Sequence, residues 1–268
     1  MTALVTGHKG FIGQNVYNFL KVMGKDPIGV DIRNAWSFLE NFNKWDTITE
    51  VYHLGAISDT RETDLDKIYN YNIDFSRALF EACAINGITV KTASSASVYG
   101  NLVHEVNPLN YYSLSKLTMD YWIEEHMSHF PLIQSFRFFN VYGEGEEHKV
   151  RNGTASPVSS FIHQAKTNGV IKVFEGSEDF MRDFVCVRDV VSLMVNNGEP
   201  SGVYDLGTSH PISFQMVAEL VSAKYGAKIK EVPFPKDLDG KYQIFTSAKK
   251  DFKHQFITVR DYLESIHE

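Results

Sequence analysis

The sequence predicts an α/β fold built on a doubly wound parallel sheet, with a small C-terminal lobe. Two observations predict it. Short apolar segments typical of buried strands alternate with segments whose apolar residues recur at helical spacing. The first strand leads directly into a glycine-rich turn and then a helix, which is the order of a Rossmann-like nucleotide-binding unit. We therefore expect parallel strands covered by helices on both faces.

Composition narrows the classes of function. The chain has 268 residues, of which 43% are hydrophobic and 22% charged, so it can bury a sizeable core. Its formal net charge is -7 and it has no run of Lys or Arg, so we expect no nucleic-acid partner. The 10 histidines are scattered and none pairs with Cys, Asp or Glu at ligand spacing, so we expect no metal site.

The cysteines and the N-terminus indicate a compartment. Cys83 and Cys186 lie in apolar segments without a second thiol nearby, which predicts buried free thiols in a reducing environment. No apolar run approaches the length of a membrane span, and the N-terminus enters a strand pattern without a basic region or cleavage site. These features predict a cytoplasmic protein with no membrane partner.

The glycine turn follows a short buried strand at residues 3–6. Its first glycines let backbone N–H groups approach a pyrophosphate, which the positive N-terminus of the next helix also favours. Gly13 lets that helix lie close to the strand. The alternative is a turn rich in glycine for folding reasons only. The predicted dinucleotide contacts here are Gly7, Lys9, Gly10, Phe11, Ile12 and Gly13.

The second strand, residues 27–31, ends in Asp31. A carboxylate there accepts hydrogen bonds from both adenosine ribose hydroxyls and selects NAD. Arg33, one residue beyond Ile32, could instead hold a 2′-phosphate, so NADP and NAD both remain open as the cofactor. Residues 34–50 predict one short amphipathic helix and a turn, where a doubly wound sheet usually has another strand and helix. We therefore expect an abbreviated adenine pocket.

The third strand, residues 51–56, ends in small residues that are expected to run under the dinucleotide, namely Leu54, Gly55 and Ala56. A long helix follows over residues 64–86, and Gly87 is placed as its C-terminal cap. Asn72 on this helix is a candidate dinucleotide contact that braces the strand carrying Ser95, and a surface asparagine is the alternative.

The chemistry is predicted at Ser95, Tyr112 and Lys116. Ser95 ends the strand over residues 88–94, and Tyr112 and Lys116 lie four apart, so they share one face of a helix. A free tyrosine, with a pKa of about 10, is a poor base at neutral pH, but a nearby ammonium and an oxidised nicotinamide favour the phenolate. These residues suit removal of a proton from a carbinol while a hydride leaves its carbon. By itself, Tyr-x-x-x-Lys favours a solvated helix face, and the motifs that precede it change this interpretation.

The remaining chain alternates strands and helices. We expect strands at residues 132–140, 171–174, 182–185, 204–206 and 229–234, with 182–185 rejoining the main sheet. Residues 144–153 predict a polar surface segment, and helices are expected over 156–168, from 189, after Ser213 and after a capping box at Thr258. The predicted domains are a dinucleotide-binding Rossmann domain, residues 1–143 plus 184–206, and a substrate lobe, residues 144–183 plus 207–268, with the ligand between them.

In this order the motifs resemble the extended short-chain dehydrogenase/reductase family, which includes NAD-dependent epimerases and dehydratases. The motifs are Thr6-Gly7-x-x-Gly10-x-x-Gly13, the serine after a strand, Tyr112-x-x-x-Lys116 and Arg137-Phe-Phe-Asn-Val-Tyr-Gly143. Stretches over 53–63, 76–81, 145–149, 174–185 and 233–243 resemble the heptose epimerases within this family. The resemblance implies a nucleotide-diphosphate sugar, epimerised by transient oxidation with a tightly bound NADP or NAD.

The resemblance also implies roles for single residues. Tyr112 and Lys149 would share the proton transfers, and Arg182 would clamp the nucleotide diphosphate. Asn140 would bind near the phosphates or the sugar. The other implied substrate contacts are Ser95, His148 and Tyr242. A homo-oligomer formed through the helices over residues 64–86 and 117–129 is implied as well.

Other interpretations remain open. A solvated loop lysine is the alternative for Lys149, and epimerisation at C4 of an NDP-hexose would use the same Ser95, Tyr112 and Lys116. A non-catalytic dinucleotide-binding protein is the third interpretation. The chain departs from the family in the segment missing after Asp31, in a loop lengthened by residues 150–153, and in a shortened segment between residues 246 and 258. These departures leave the sugar open.

Overall fold

Strands and helices alternate along residues 2–235 and 243–266, the part of the chain that the computed structural model describes. The strands are β1 (Thr2–Thr6), β2 (Ile28–Val30), β3 (Ile48–His53), β4 (Thr89–Ser95), β5 (Ile133–Phe138), β6 (Asn140–Tyr142), β7 (Val170–Phe174), β8 (Met181–Arg182), β9 (Phe184–Cys186), β10 (Gly202–Leu206), β11 (Ile212–Ser213) and β12 (Lys228–Val232). The α-helices are α1 (Phe11–Val22), α2 (Ala35–Asn41), α3 (Leu65–Ile68), α4 (Phe75–Ile85), α5 (Tyr111–His126), α6 (Glu147–Arg151), α7 (Pro157–Asn168), α8 (Val187–Asn196), α9 (Phe214–Tyr225) and α10 (Val259–Ser265).

Within these described ranges, six strands form one sheet in the order β10-β5-β4-β3-β1-β2. The pairs from β2 to β5 are parallel, which confirms the predicted doubly wound α/β class. The chain passes from β2 through α2 to β3, and β2 forms an edge of the sheet in the described residues. The further strand that a doubly wound sheet usually has after Asp31 is therefore missing, as the sequence predicted.

One row of apolar side chains crosses the sheet. Leu4 pairs with Val51, Val51 with Val90, and Val90 with Ile133, so four neighbouring strands each contribute one residue. Each of the four is 0% exposed. The surrounding apolar cluster includes helix residues Leu79, Phe80 and Ile123. Full burial of such a side chain stabilises the fold by about 1.5–3 kcal/mol, so this row fixes the strand register.

The helix predicted over residues 64–86 is interrupted by a π-helical turn. It consists of α3, the π turn Tyr69–Asp74 and α4. Asp64 begins it by accepting a hydrogen bond from the Lys67 N–H at 3.0 Å, and Gly87 follows its end with φ +62°. The π turn contains Asn72, which is buried with 2% exposure.

The chain folds into two compact units. The first unit comprises Met1–Gly100, Val106–Phe138 and Val191–Tyr204, and the second comprises Asn101–Glu105, Phe139–Val190 and Asp205–Glu268. The second unit has its own apolar cluster, in which side chains from α7, β7 and α9 meet. Fully buried members of that cluster are Val158, Ile171, Val217 and Val221.

Two expectations for the second unit were wrong. The strand expected at 182–185 does not rejoin the main sheet, because β8 pairs with β11 and β9 pairs with β6. Asp183 separates β8 from β9, and its buried carboxylate accepts hydrogen bonds from the N–H groups of Ser209 and Ala248. The polar segment 144–153 contains helix α6, which was expected to be loop.

The cysteine prediction is confirmed, since Cys83 and Cys186 are both buried free thiols. Burial raises the pKa of each thiol to about 12, so both are poor nucleophiles. Throughout residues 2–235 and 243–266, every helix is too short or too polar to traverse a bilayer.

Candidate active site

The turn between β1 and α1 is shaped by glycines, and at Gly7 and Gly13 any side chain would clash with the backbone. Gly7 has φ +67°, and a Cβ on it would lie 2.7 Å from Gly55 Cα. A Cβ on Gly13 would lie 2.0 Å from the Gly7 carbonyl oxygen. Gly10 caps α1 without a side chain. This bare turn at a helix N-terminus fits a dinucleotide pyrophosphate, and Lys9, Phe11 and Ile12 lie in the turn and the first residues of α1.

A polar atom in the same turn also fits a ligand. The His8 ring lies against Gly29 of β2, where a Cβ would come within 2.6 Å of it. Its Nδ1 atom is buried and has no hydrogen-bond partner in the described part of the chain. Buried polar atoms normally have partners, so an unpartnered atom here is consistent with a ligand bound at the turn. His8 was not among the residues predicted to bind.

The end of β2 holds the residues predicted to read the adenosine ribose. The Asp31 carboxylate accepts a hydrogen bond from the Ile32 N–H at 2.7 Å, and Asn34 Oδ1 accepts one from the Asp31 N–H at 2.9 Å. These bonds fix Asp31 at the start of a 3₁₀ turn in which Ile32 and Arg33 are exposed. Carboxylate and guanidinium therefore both lie at this end of the sheet, and both cofactors remain compatible with it.

The residues after β3 are tied to β1 by a buried hydrogen-bond chain. Thr6 Oγ1 accepts from the N–H groups of Leu54 and Gly55, both at 3.2 Å, so its own proton is directed to His53 Nδ1 at 2.7 Å. His53 Nε2–H then donates to Ser76 Oγ at 2.8 Å. Burial lowers the pKa of His53 to about 3, with a smaller contribution from the Lys116 charge, so this imidazole stays neutral. These hydrogen bonds hold residues 54–55, and Ala56 after them, beside the glycine turn.

Asn72 braces different elements from the strand it was predicted to brace. Its Oδ1 accepts from the Ile57 N–H at 2.8 Å, and its Nδ2 donates to the Ile57 carbonyl and to Ser115 Oγ, both at 3.0 Å. Ser115 Oγ donates in turn to the Tyr112 carbonyl at 2.7 Å. The Asn72 amide therefore links the segment after β3 to the first turn of α5, and its three hydrogen bonds go to Ile57 and Ser115 instead of β4.

Ser95, Tyr112 and Lys116 come together at the end of β4. Ser95 is the last residue of β4, and its hydroxyl is hydrogen-bonded to the Tyr112 hydroxyl. Lys116 lies one turn further along α5 and is 6% exposed. Its Nζ donates to the Ala93 carbonyl at 2.8 Å and lies 6.0 Å from the centre of the Tyr112 ring. The predicted catalytic residues of the first unit thus form one group.

Burial drives both titratable groups towards their neutral forms. It lowers the pKa of Lys116 to about 8, an effect that the Asp120 charge partly offsets. Burial also raises the pKa of Tyr112, against the opposing effect of the Ser95 hydrogen bond. Tyr112 is therefore a neutral phenol at pH 7, and the Lys116 ammonium alone does not make it a phenolate.

A buried ion pair anchors α5 beneath this group. Asp120 is 0% exposed and accepts hydrogen bonds from Ser94 Oγ at 2.9 Å, Ser135 Oγ at 2.7 Å and Arg137 Nε at 2.8 Å. Arg137 also donates to the Tyr99 hydroxyl at 3.0 Å. These bonds join α5 to β4 and β5, directly beside Ser95.

In the second unit, Arg182 and Asn140 lie on short strands. Arg182 is 5% exposed, and its guanidinium lies 5.5 Å from the centre of the Phe214 ring. Asn140 Oδ1 accepts from Thr246 Oγ1 at 3.4 Å, and the Asn140 N–H donates to the Asp183 carbonyl at 3.0 Å. The Arg182 guanidinium and the Asn140 amide are thus each held by contacts within the second unit.

Lys149 and His148 lie on α6, also in the second unit. Lys149 Nζ forms an ion pair with Glu146 Oε1 at 3.8 Å. His148 is exposed. Residues 150–153, which lengthen this loop, follow Lys149 in the end of α6 and the turn after it. Tyr242 lies outside the described residues. Groups of three or more His, Cys, Asp or Glu able to hold a metal ion are absent from residues 2–235 and 243–266.

The chain is similar to known proteins in both sequence and structure. The model of the NAD dependent epimerase/dehydratase family matches residues 3–207. The ADP-L-glycero-D-manno-heptose-6-epimerase of Alkalilimnicola ehrlichii is 36% identical over 284 residues, covering 91% of this chain and 88% of that protein. That of Brachyspira hyodysenteriae is 34% identical over 282 residues, with the same coverage of 91% and 88%. The crystal structure of the Helicobacter pylori enzyme of this name has a TM-score of 0.84 at 24% identity, covers 98% of this chain and 94% of that one, and shares the fold.

Proposed function

Because the chain belongs to the NAD dependent epimerase/dehydratase family, we propose that it is a nucleotide-sugar epimerase working by transient oxidation of its substrate. This membership confirms the resemblance that the motifs carried. The curated relatives are named as ADP-heptose 6-epimerases, and we propose the same substrate and the same inverted carbon for this chain.

The observation that carries the proposal is the grouping of Ser95, Tyr112 and Lys116 at the end of β4. A bound NADP or NAD would take up a hydride from the sugar carbon and return it to the opposite face. The Tyr112 oxygen takes the proton of the hydroxyl on that carbon, and Ser95 holds the same substrate oxygen in line. Lys116, anchored on the Ala93 carbonyl, places a positive charge beside the phenolate.

Inversion also needs a proton source on the other face of the transient carbonyl. We assign this role to Lys149, whose ammonium gives its proton to the carbonyl oxygen as the hydroxyl forms again. Tyr112 retains the first proton, and exchange with solvent restores both residues. Arg182 is assigned to the nucleotide diphosphate and Asn140 to the neighbouring phosphate or sugar oxygens.

The remaining assignments concern ligand contacts. The dinucleotide is assigned to the glycine turn, the end of β2, residues 54–56 and the Tyr112–Lys116 face of α5. His148 and Tyr242 are assigned to the nucleotide sugar. The identity of the dinucleotide distinguishes Asp31 from Arg33 as the ribose-reading residue.

One experiment tests these assignments together. The purified protein is denatured and any released dinucleotide is identified by mass spectrometry, and native protein is then offered ADP-heptose and UDP-hexoses while inversion is followed by NMR. We expect released NADP or NAD, inversion of the heptose, and loss of at least about a hundredfold in kcat for Tyr112→Phe. Bound dinucleotide without inversion of any nucleotide sugar would overturn the proposed function.

Lys149→Ala separates two mechanisms in the same assay. Loss of heptose inversion supports a second proton donor, whereas unchanged inversion would remove Lys149 from the mechanism. Inversion of a UDP-hexose alone would replace the substrate with the C4-epimerase alternative, which uses Ser95, Tyr112 and Lys116 without Lys149.

A further inference from the structure

Glu146, immediately before α6, is a buried carboxylate that the proposed mechanism does not use. It is 2% exposed. Its Oε1 accepts a hydrogen bond from the Ser156 N–H at 2.9 Å, and its Oε2 accepts from Ser156 Oγ at 2.6 Å and also from Ser159 Oγ. A buried carboxylate without a cation nearby is costly, and these three donors are neutral.

These bonds close the chain between Glu146 and Ser156. Ser156 is the N-cap of α7, so the Glu146 carboxylate lies at the positive end of an α-helix of 12 residues. Residues 147–155, including α6, form a loop segment, and the hydrogen bonds between Glu146 and Ser156 join its two ends. Residues 150–153, which lengthen the loop, therefore lie within this closed segment.

Lys149 forms an ion pair with this carboxylate. Its Nζ lies 3.8 Å from Glu146 Oε1, one helical turn away on α6, and its side chain is 33% exposed while that of Glu146 is 2% exposed. One partner is thus fixed by three hydrogen bonds and the other is a flexible side chain that reaches solvent. An attraction of this kind restricts the position of the lysine side chain.

We propose that Glu146 is a positioning residue for Lys149, holding the ammonium at the place from which it donates its proton. This inference rests on the proposed function of Lys149. Glu146 does not itself touch the substrate. It acts through its fixed carboxylate, in the same way that a buried acidic partner orients a catalytic base.

The first test measures the Lys149 amine directly, without turnover. Reductive methylation with limiting formaldehyde at pH 8, followed by peptide mass spectrometry, gives the reaction rate of each lysine. An amine held against a carboxylate reaches the reagent less readily, so Glu146→Gln is expected to raise the rate at Lys149 by about 2- to 5-fold, the effect of losing a partly exposed ion pair. Glu147→Gln, which removes the neighbouring exposed charge of α6, is expected to leave the rate unchanged.

A second variant separates positioning from folding. Ser156→Ala removes the side-chain cap of α7 and one of the two serine hydroxyls that donate to Glu146, but the Glu146 charge stays. A merely structural role predicts that Ser156→Ala and Glu146→Gln change the Lys149 rate alike. Positioning predicts that Glu146→Gln changes it clearly more, and that Glu146→Asp restores part of the protection.

The kinetic readout follows in the inversion assay. Glu146→Gln is expected to lower kcat at least about tenfold with little change in KM, because proton donation and not ground-state binding is affected. Equal behaviour of Glu146→Gln and Glu147→Gln in both assays would overturn the inference while wild-type inversion stands. Absence of inversion in the wild type would instead overturn the proposed function, and the methylation rates would still report on the ion pair.

Discussion

The Asp120 carboxylate in α5 stabilises the fold, and its contribution to the free energy of unfolding can be estimated from its hydrogen bonds. It is 0% exposed and accepts hydrogen bonds from Ser94, Ser135 and Arg137. Asp120→Asn removes the charge and turns one acceptor oxygen into a donor that faces other donors. Removing one partner of a buried ion pair costs about 3–5 kcal/mol, because the other charge stays buried without compensation. The Arg137 side chain keeps 12% exposure, so we expect the lower end, about 3 kcal/mol.

Urea unfolding followed by tryptophan fluorescence measures this loss in the first unit. The 3 tryptophans of the chain, Trp36, Trp45 and Trp122, all lie in that unit. With a denaturant slope of about 1–3 kcal/mol/M, the expected loss lowers the urea midpoint by about 1 M or more. The slope itself is expected to stay constant.

A double-mutant cycle checks the cause. Arg137→Gln removes the opposite charge, and Asp120→Asn/Arg137→Gln removes both, so the double variant is expected to lose about 2 kcal/mol less than the sum of the single losses. A loss below about 1 kcal/mol for Asp120→Asn, as for a surface ion pair, would refute the reasoning. So would an additive double variant.

Three further predictions follow from the same geometry. Gly13→Ala is expected to weaken NADP or NAD binding at least tenfold by calorimetry, because its Cβ would lie 2.0 Å from the Gly7 oxygen, whereas Gly198→Ala, with nothing within 4 Å, is the matched control. Turnover that needs the Lys116 ammonium is expected to fall as pH rises through about 8, and a plateau extending to pH 10 would contradict it. We also propose a homo-oligomer through the helices over residues 64–86 and 117–129, where Leu65, Tyr69, Ile85 and Tyr121 are exposed, and a clean monomer by light scattering would refute it.

The sequence predicted the parts of the fold and site that depend on local spacing. The four-residue interval between Tyr112 and Lys116 places both on one helix face, and the glycine intervals define a turn between a strand and a helix. The caps at Ser213 and Thr258 are equally local, and both are confirmed by side-chain hydrogen bonds in the structure. The missing strand after Asp31 could be predicted because residues 34–50 are long enough for little more than one short helix.

The parts that were missed depend on residues far apart in the chain. Thr6 and His53 are 47 positions apart, and Asp120 and Arg137 are 17 apart, so neither pair has a sequence pattern of its own. Asp120 could have been suspected from its position four residues after Lys116 on the same helix face. Similarly, Glu146 precedes Lys149 by one helical turn, but its burial depends on the fold of α7. The strand expected at 182–185 was misplaced because Asp183 bonds to residues beyond 200.

The Asp120 carboxylate has opposite consequences for the two titratable groups of the proposed catalytic site. Burial pushes Lys116 and Tyr112 towards their neutral forms, which would leave the site without the ammonium that supports a phenolate. Asp120 raises the pKa of Lys116 and so keeps the ammonium populated up to about pH 8, but it also raises the pKa of Tyr112. One carboxylate therefore favours the cation and disfavours the anion of the same pair. In the proposed mechanism the phenolate then requires a positive charge from a bound ligand, which would tie proton removal at Tyr112 to occupation of the proposed dinucleotide site.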